Sequence, residues 1–144
     1  MERHSSRMID LERRRVATQK TLDRYRNKSF DWQRGITCVH LARYHLKQMG
    51  HKPETLPRIR SAIAAQRALK QRGWESVEVM LDSMLAPIAP ARMMLGDLAV
   101  FPGEGFGAIF ICAGPLKVMG WREDADKLVL LDVGMDEVTR AWRV

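Results

Sequence analysis

The chain changes texture once, and that change limits the possible folds more than any other feature. Up to Pro90 the apolar residues recur at helical spacing. From Gly96 onward they come in short runs separated by Gly, Pro and acidic turns. Residues 6–26 contain no Gly or Pro and read as a helix that Ser5 or Ser6 can cap. Its apolar side (Met8, Leu11, Leu22, Tyr25) is thin and is interrupted by Arg13-Arg14-Arg15, so the helix is expected on the domain surface or against a partner. A loop from Asn27 to Gly35 carries Phe30 and Trp32. A second helix is expected from Thr37 to Met49, stopped by Gly50, with Cys38, Leu41, Ala42, His45 and Met49 on one face. A third is expected from Pro57 to just before Gly73, since proline suits a first helical turn. The fourth has the cleanest period, with Val77, Met80, Leu81, Met84 and Leu85 following Ser76 as cap. Pro87 and Pro90 close the helical half.

Beyond Gly96, residues 98–101, 108–112, 116–121 and 128–133 read as strands of an antiparallel sheet. Helices followed by strands predict an α+β fold rather than alternating α/β. The 144 residues suffice for one domain. A hydrophobic share of 46% with 28% charged residues excludes general disorder. No apolar run approaches the roughly 20 residues needed to cross a bilayer, and the first thirty residues hold no apolar export signal. Two cysteines, Cys38 and Cys112, make no disulfide framework and fit synthesis in a reducing compartment.

The net charge of +7 is uneven. Residues 1–29 carry nine Lys/Arg against four Asp/Glu, residues 30–60 six against two, and residues 87–144 six against eight. A basic front and slightly acidic back suit an acidic protein neighbour or a polyanion. Nucleic acid is the weaker candidate, because only Tyr25 and Tyr44 lie among the basic residues and no nucleic-acid-binding motif is present.

Cys38 is the residue placed for chemistry. A thiol in the first helical turn meets the positive end of the helix dipole, which favours the thiolate. Catalysis also needs a base within about 3 Å. The four histidines, His4, His40, His45 and His51, all lie in the helical half. On a regular helix His40 points away from Cys38, and His45 stands roughly 10 Å further along the axis. Cys38-x-His40 with Cys112 lacks the paired spacing of a metal site, and PGEGFG lacks the strand-to-helix setting and lysine of a phosphate loop, so neither metal nor cofactor is expected.

A cysteine opening a helix after an aromatic loop, followed later by GDLAVF and a second strand, resembles the NlpC-like cell-wall cysteine peptidases of the papain-like fold. A family of phage tail-region proteins related to these peptidases resembles the chain more closely. The likeness runs through FDWQRGITC, RALKQRG, GDLAVF and the terminal AWRV. It implies an N-terminal basic helix over 1–29 and an NlpC-like domain over 30–144. Where those peptidases carry an aspartate before the cysteine this chain has Thr37. Where they carry a histidine at the head of the second strand it has Gly105-Phe106-Gly107. The resemblance therefore implies a catalytically silent relative, a structural component of a phage tail tip. Such a protein is made in the host bacterial cytoplasm and packs in several copies against hub, distal tail or tip proteins. Its expected contacts are Arg13, Arg14, Arg15, Phe30, Trp32, Trp142 and Arg143, with Cys38 a vestigial nucleophile. The alternative is an active peptidoglycan peptidase or amidase using Cys38.

Overall fold

The computed structural model describes residues 2–101, 108–122 and 126–144, with side chains from Ile9 onward and Met135 excepted. Four helices come first: α1 (Glu2–Tyr25), α2 (Cys38–Gln48), α3 (Ala62–Gln71) and α4 (Val77–Met84). Six strands follow: β1 (Ala86–Ile88), β2 (Leu98–Phe101), β3 (Ala108–Gly114), β4 (Lys117–Gly120), β5 (Val129–Asp132) and β6 (Arg140–Arg143). The strands form one antiparallel sheet in the order β1-β6-β2-β3-β4-β5. The fold is α+β, as the change of texture predicts.

Short polar side chains set the helix starts. Thr37, Ser61 and Ser76 are all extended, and each side-chain oxygen accepts from the backbone N–H three residues on. The cap at Ser61 corrects the third helix: residues 57–60 stay outside it, and α3 begins at Ala62. A serine that satisfies an orphan N–H outweighs a proline that merely tolerates the first turn.

Two strands escape the sequence reading. Pro87, just past the last α-helix, sits in β1, a three-residue strand at the sheet edge, where a missing N–H costs nothing. The terminal AWRV contributes β6, paired to both β1 and β2. Trp142, expected as an exposed contact, is therefore at 0% exposure inside the main core.

That core lies between the helices and one face of the sheet. It joins Leu41 and Leu46 of α2, Val77 and Leu81 of α4, and Leu98, Val100, Ile109, Ile111, Met119 and Trp142 of the strands. On the opposite face Ala99 packs with Val138 and Ala141, and Phe110 packs with Val118 and Val133. A Cβ on Gly120 would stand 2.6 Å from the Phe110 ring, so the ring occupies the space glycine leaves. The helix expected on the surface has one face built into the protein. Ala17, Thr18, Thr21 and Tyr25 of α1 are buried, and so is Arg14 at 3% exposure.

Candidate functional site

Cys38 opens α2 as expected and is buried. Burial pushes its thiol pKa up, and backbone hydrogen bonding from Ile109, Cys38 and Val39 offsets this only in part. The helix N-terminus therefore does not make a ready thiolate here. Desolvation opposes the dipole and wins.

The two histidines of α2 are committed elsewhere. His40 Nδ1 lies 2.8 Å from Thr37 Oγ1, the oxygen that also caps the helix by accepting from His40 N. Burial, then Arg43, lowers the His40 pKa. Gly35, at φ +69°, leaves room for this ring, since a Cβ there would come within 3.3 Å of His40 Nε2. His45 is fully buried between Thr21 Oγ1, 3.0 Å from Nδ1, and the Gly96 carbonyl, 2.8 Å from Nε2. A carbonyl only accepts, so Nε2 carries the proton and donates. Burial lowers the His45 pKa to about 4, keeping the ring neutral. Gly105-Phe106-Gly107, which the sequence resemblance sets at the position expected of a histidine, lies outside the described residues.

The turn that opens β2 holds a charged cluster which the sequence did not disclose. Gly96 takes φ +90°, and Asp97 behind it is fully buried. Arg14 Nη1 donates to Asp97 Oδ1 at 3.0 Å, and Arg14 also bonds Asp10, the Leu95 carbonyl and the Val144 carbonyl. Asp97 bonds its own turn, accepting from Met94 N at 2.8 Å, as a turn aspartate is expected to. It also accepts from Val144 N at 2.9 Å and pairs with Arg143 at 3.2 Å. Arg14 is thus corrected from a surface contact to a buried partner, because only a carboxylate in the interior offsets the cost of desolvating it.

The remaining expected contacts stay nearer the surface. Arg13 bonds Asp10 and the Met49 carbonyl, and Arg15 pairs with Glu12. Phe30 is 38% exposed and Trp32 is half-buried, their rings edge-to-face at 5.5 Å. Phe30 meets Trp121, which meets Tyr25, which meets Tyr44, so a run of edge-to-face rings leads from this loop into the core. The loop is pinned by paired Asp31–Ile36 backbone bonds and by Phe30 N donating to the Asp126 carbonyl. Trp121 and Tyr44 come from distant segments, so no local pattern links them to Phe30 and Trp32. Among the described residues no group of three or more His, Cys, Asp or Glu side chains could hold a metal, and no helix is long and apolar enough to cross a membrane.

A family profile described as a domain of unknown function, DUF6950, matches residues 8–144. The chain belongs to the DUF6950 family. No curated protein matches it. Among solved structures, this DUF6950 chain is similar to the NlpC/p60 domain of the peptidoglycan hydrolase SagA. The TM-score is 0.58 and the identity 15%, over 90% of this chain and 98% of that domain. At that identity the likeness establishes a shared fold, the papain-like NlpC architecture. Both the α+β class and the NlpC-like resemblance read from the sequence agree with it. A scaffold does not fix chemistry, so the DUF6950 site has to be judged on its own residues.

Proposed function

We propose that this protein is a catalytically silent relative of NlpC-like peptidases that serves as a structural component of a bacteriophage tail tip. One observation carries the silence: the Cys38 thiol is buried with a raised pKa, while His40 and His45 are bound to Thr37, Thr21 and Gly96. A thiol kept protonated is a poor nucleophile. The tail assignment is supported by the ordered motifs FDWQRGITC, RALKQRG, GDLAVF and AWRV that resemble phage tail-region proteins. In this reading the hub or neighbouring tail proteins are the partners, in several copies, and the virion is the destination. Arg13, Arg15, Phe30, Trp32 and Arg143 remain the contact candidates, whereas Arg14 and Trp142 act from inside the domain. Mass spectrometry of purified virions tests the proposal. The protein is expected at a fixed ratio to other tail proteins, and its absence from finished particles would overturn the structural role.

The second reading, a cell-wall hydrolase, is favoured by the position of Cys38 at a helix N-terminus on a fold shared with a peptidoglycan hydrolase domain. Peptidoglycan stem peptides incubated with the protein separate the two. No cleavage is expected, and cleavage abolished by Cys38→Ala would establish the enzyme.

A further inference from the structure

A cavity of about 420 Å³ opens beside the C-terminal half of α2, away from Cys38. Its floor is apolar: Leu46 and Leu85 are buried, and Trp74 and Met80 pack against the core behind them. Its lip is basic. Arg43, Lys52 and Arg72 face a single carboxylate, Glu54. That carboxylate is already engaged, because Arg72 Nη1 bonds Glu54 Oε2 at 2.7 Å, while Arg43 Nε donates to the Glu54 carbonyl at 2.8 Å. Lys52 makes no ion pair among the described residues. An apolar floor under an uncompensated positive lip selects an occupant that brings an apolar side chain with a carboxylate next to it.

The chain itself displays such an element. On β5, Leu130 is 56% exposed and the Asp132 side chain 85% exposed, and residues two apart on a strand share a face. β5 is an edge strand, and Asp136 and Glu137 extend the acidic surface just beyond it. Several other exposed acids are already paired: Glu12 with Arg15, Asp23 with Arg26, and Asp82 with Arg140. Asp132 has only a loose 3.9 Å contact with Lys117.

The two surfaces cannot meet within one molecule. Asp82 of α4, beside the cavity, is bound to Arg140 of β6, next to the β1 edge, whereas β5 lies at the opposite edge of the sheet. We propose that the cavity receives the Leu130–Asp132 edge of a second copy of this chain, Leu130 entering the floor and Asp132 meeting Lys52. Such a contact is head-to-tail, so it builds a ring if the rotation closes and a filament if it does not.

Sedimentation velocity from about 5 to about 500 μM tests this, because head-to-tail association follows mass action. The wild-type chain is expected to associate with rising concentration, and added salt is expected to weaken the association. Lys52→Glu and Asp132→Lys are each expected to weaken it by about tenfold, and the double variant to regain it through the reversed pair. Both positions are exposed, and circular dichroism verifies that the variants fold. A wild-type chain that stays monomeric throughout overturns the assignment and leaves the cavity to a different protein. Association indifferent to both reversals, or lost in both without recovery in the double variant, overturns it as well.

Discussion

Arg14 Nη1 donates to Asp97 Oδ1 across 3.0 Å in the interior, tying the first helix to the turn that opens β2, 83 residues later. The pair is the hub of a larger set, because Arg14 also holds the Val144 carbonyl and Asp97 accepts from Val144 N. Removing Asp97 leaves the Met94 and Val144 amides without their buried acceptor and Arg14 and Arg143 without the carboxylate they share. Asp97→Ala is therefore expected to cost about 3–5 kcal/mol, read as a lowered urea midpoint. Arg14→Met is expected to cost less. Asp97 would keep the amides of Met94 and Val144 and the Arg143 guanidinium, while methionine fills part of the vacated space. Equal losses in the two variants would show that Asp97 depends on Arg14 alone.

Thiol chemistry offers a direct reading of the Cys38 environment. Both Cys38 and Cys112 are buried, and burial raises both pKa values. Neither should react with an aromatic disulfide reagent at neutral pH in the folded protein, and both should react once urea unfolds it. The rate for Cys38 should rise only at pH above the free-cysteine range of about 8.5. A fast single-equivalent reaction at pH 7 that disappears in Cys38→Ala would mean an activated nucleophile after all.

The sequence disclosed what local rules determine. α2 and α4 follow from a 3.6-residue period and a capping hydroxyl, all within a dozen residues. The switch to strands after Gly96 follows from run length and turn residues. What stayed hidden depends on partners far along the chain. Arg14 looks like one of three solvated arginines until Asp97 is placed against it, and nothing near Arg14 announces that pairing. β1 and β6 are three and four residues long, too short for a period of two to register, and each exists because the other is there to pair with. The position of Cys38 and its burial were both legible, because it shares the apolar face of α2; what covers it was not, because strand β3 lies against it only in the fold.

Trp142 distinguishes an interior role from a contact role. Its ring is fully buried, and its Nε1 donates to Asp82 Oδ1 at 2.9 Å, a carboxylate that Arg140 grips with both terminal nitrogens. Trp142→Ala is expected to lower stability by about 3–5 kcal/mol through lost burial and a cavity. Trp142→Phe keeps most of the ring and forfeits the indole donor. Asp82 retains Arg140, so the added cost should be about 1 kcal/mol. Thermal unfolding of the two variants measures both. A surface anchor would instead leave the isolated domain's stability nearly unchanged on truncation to alanine.

His45 should make folding stability depend on pH in a defined window. Its pKa falls from 6.5 to about 4 on folding, chiefly through burial, so below pH 6.5 the unfolded chain binds a proton that the folded chain refuses. Stability from this group is therefore present in full above about pH 6.5 and is lost as pH falls toward 4. The span corresponds to about 3 kcal/mol. Burial lowers the pKa of His40 and His51 as well, which adds to the slope in the same direction, but both are less enclosed. The paired carboxylates Asp10 and Asp82 have lowered pKa values and lose their contribution only at more acidic pH, so the window belongs to the histidines. Urea denaturation at steps between pH 4.5 and 7.5 is expected to show stability rising with pH. His45→Gln is expected to be less stable at neutral pH but to show a markedly flatter slope. A slope equal to wild type in that variant would mean that His45 already carries its proton in the folded protein, donating from both nitrogens to Thr21 and Gly96.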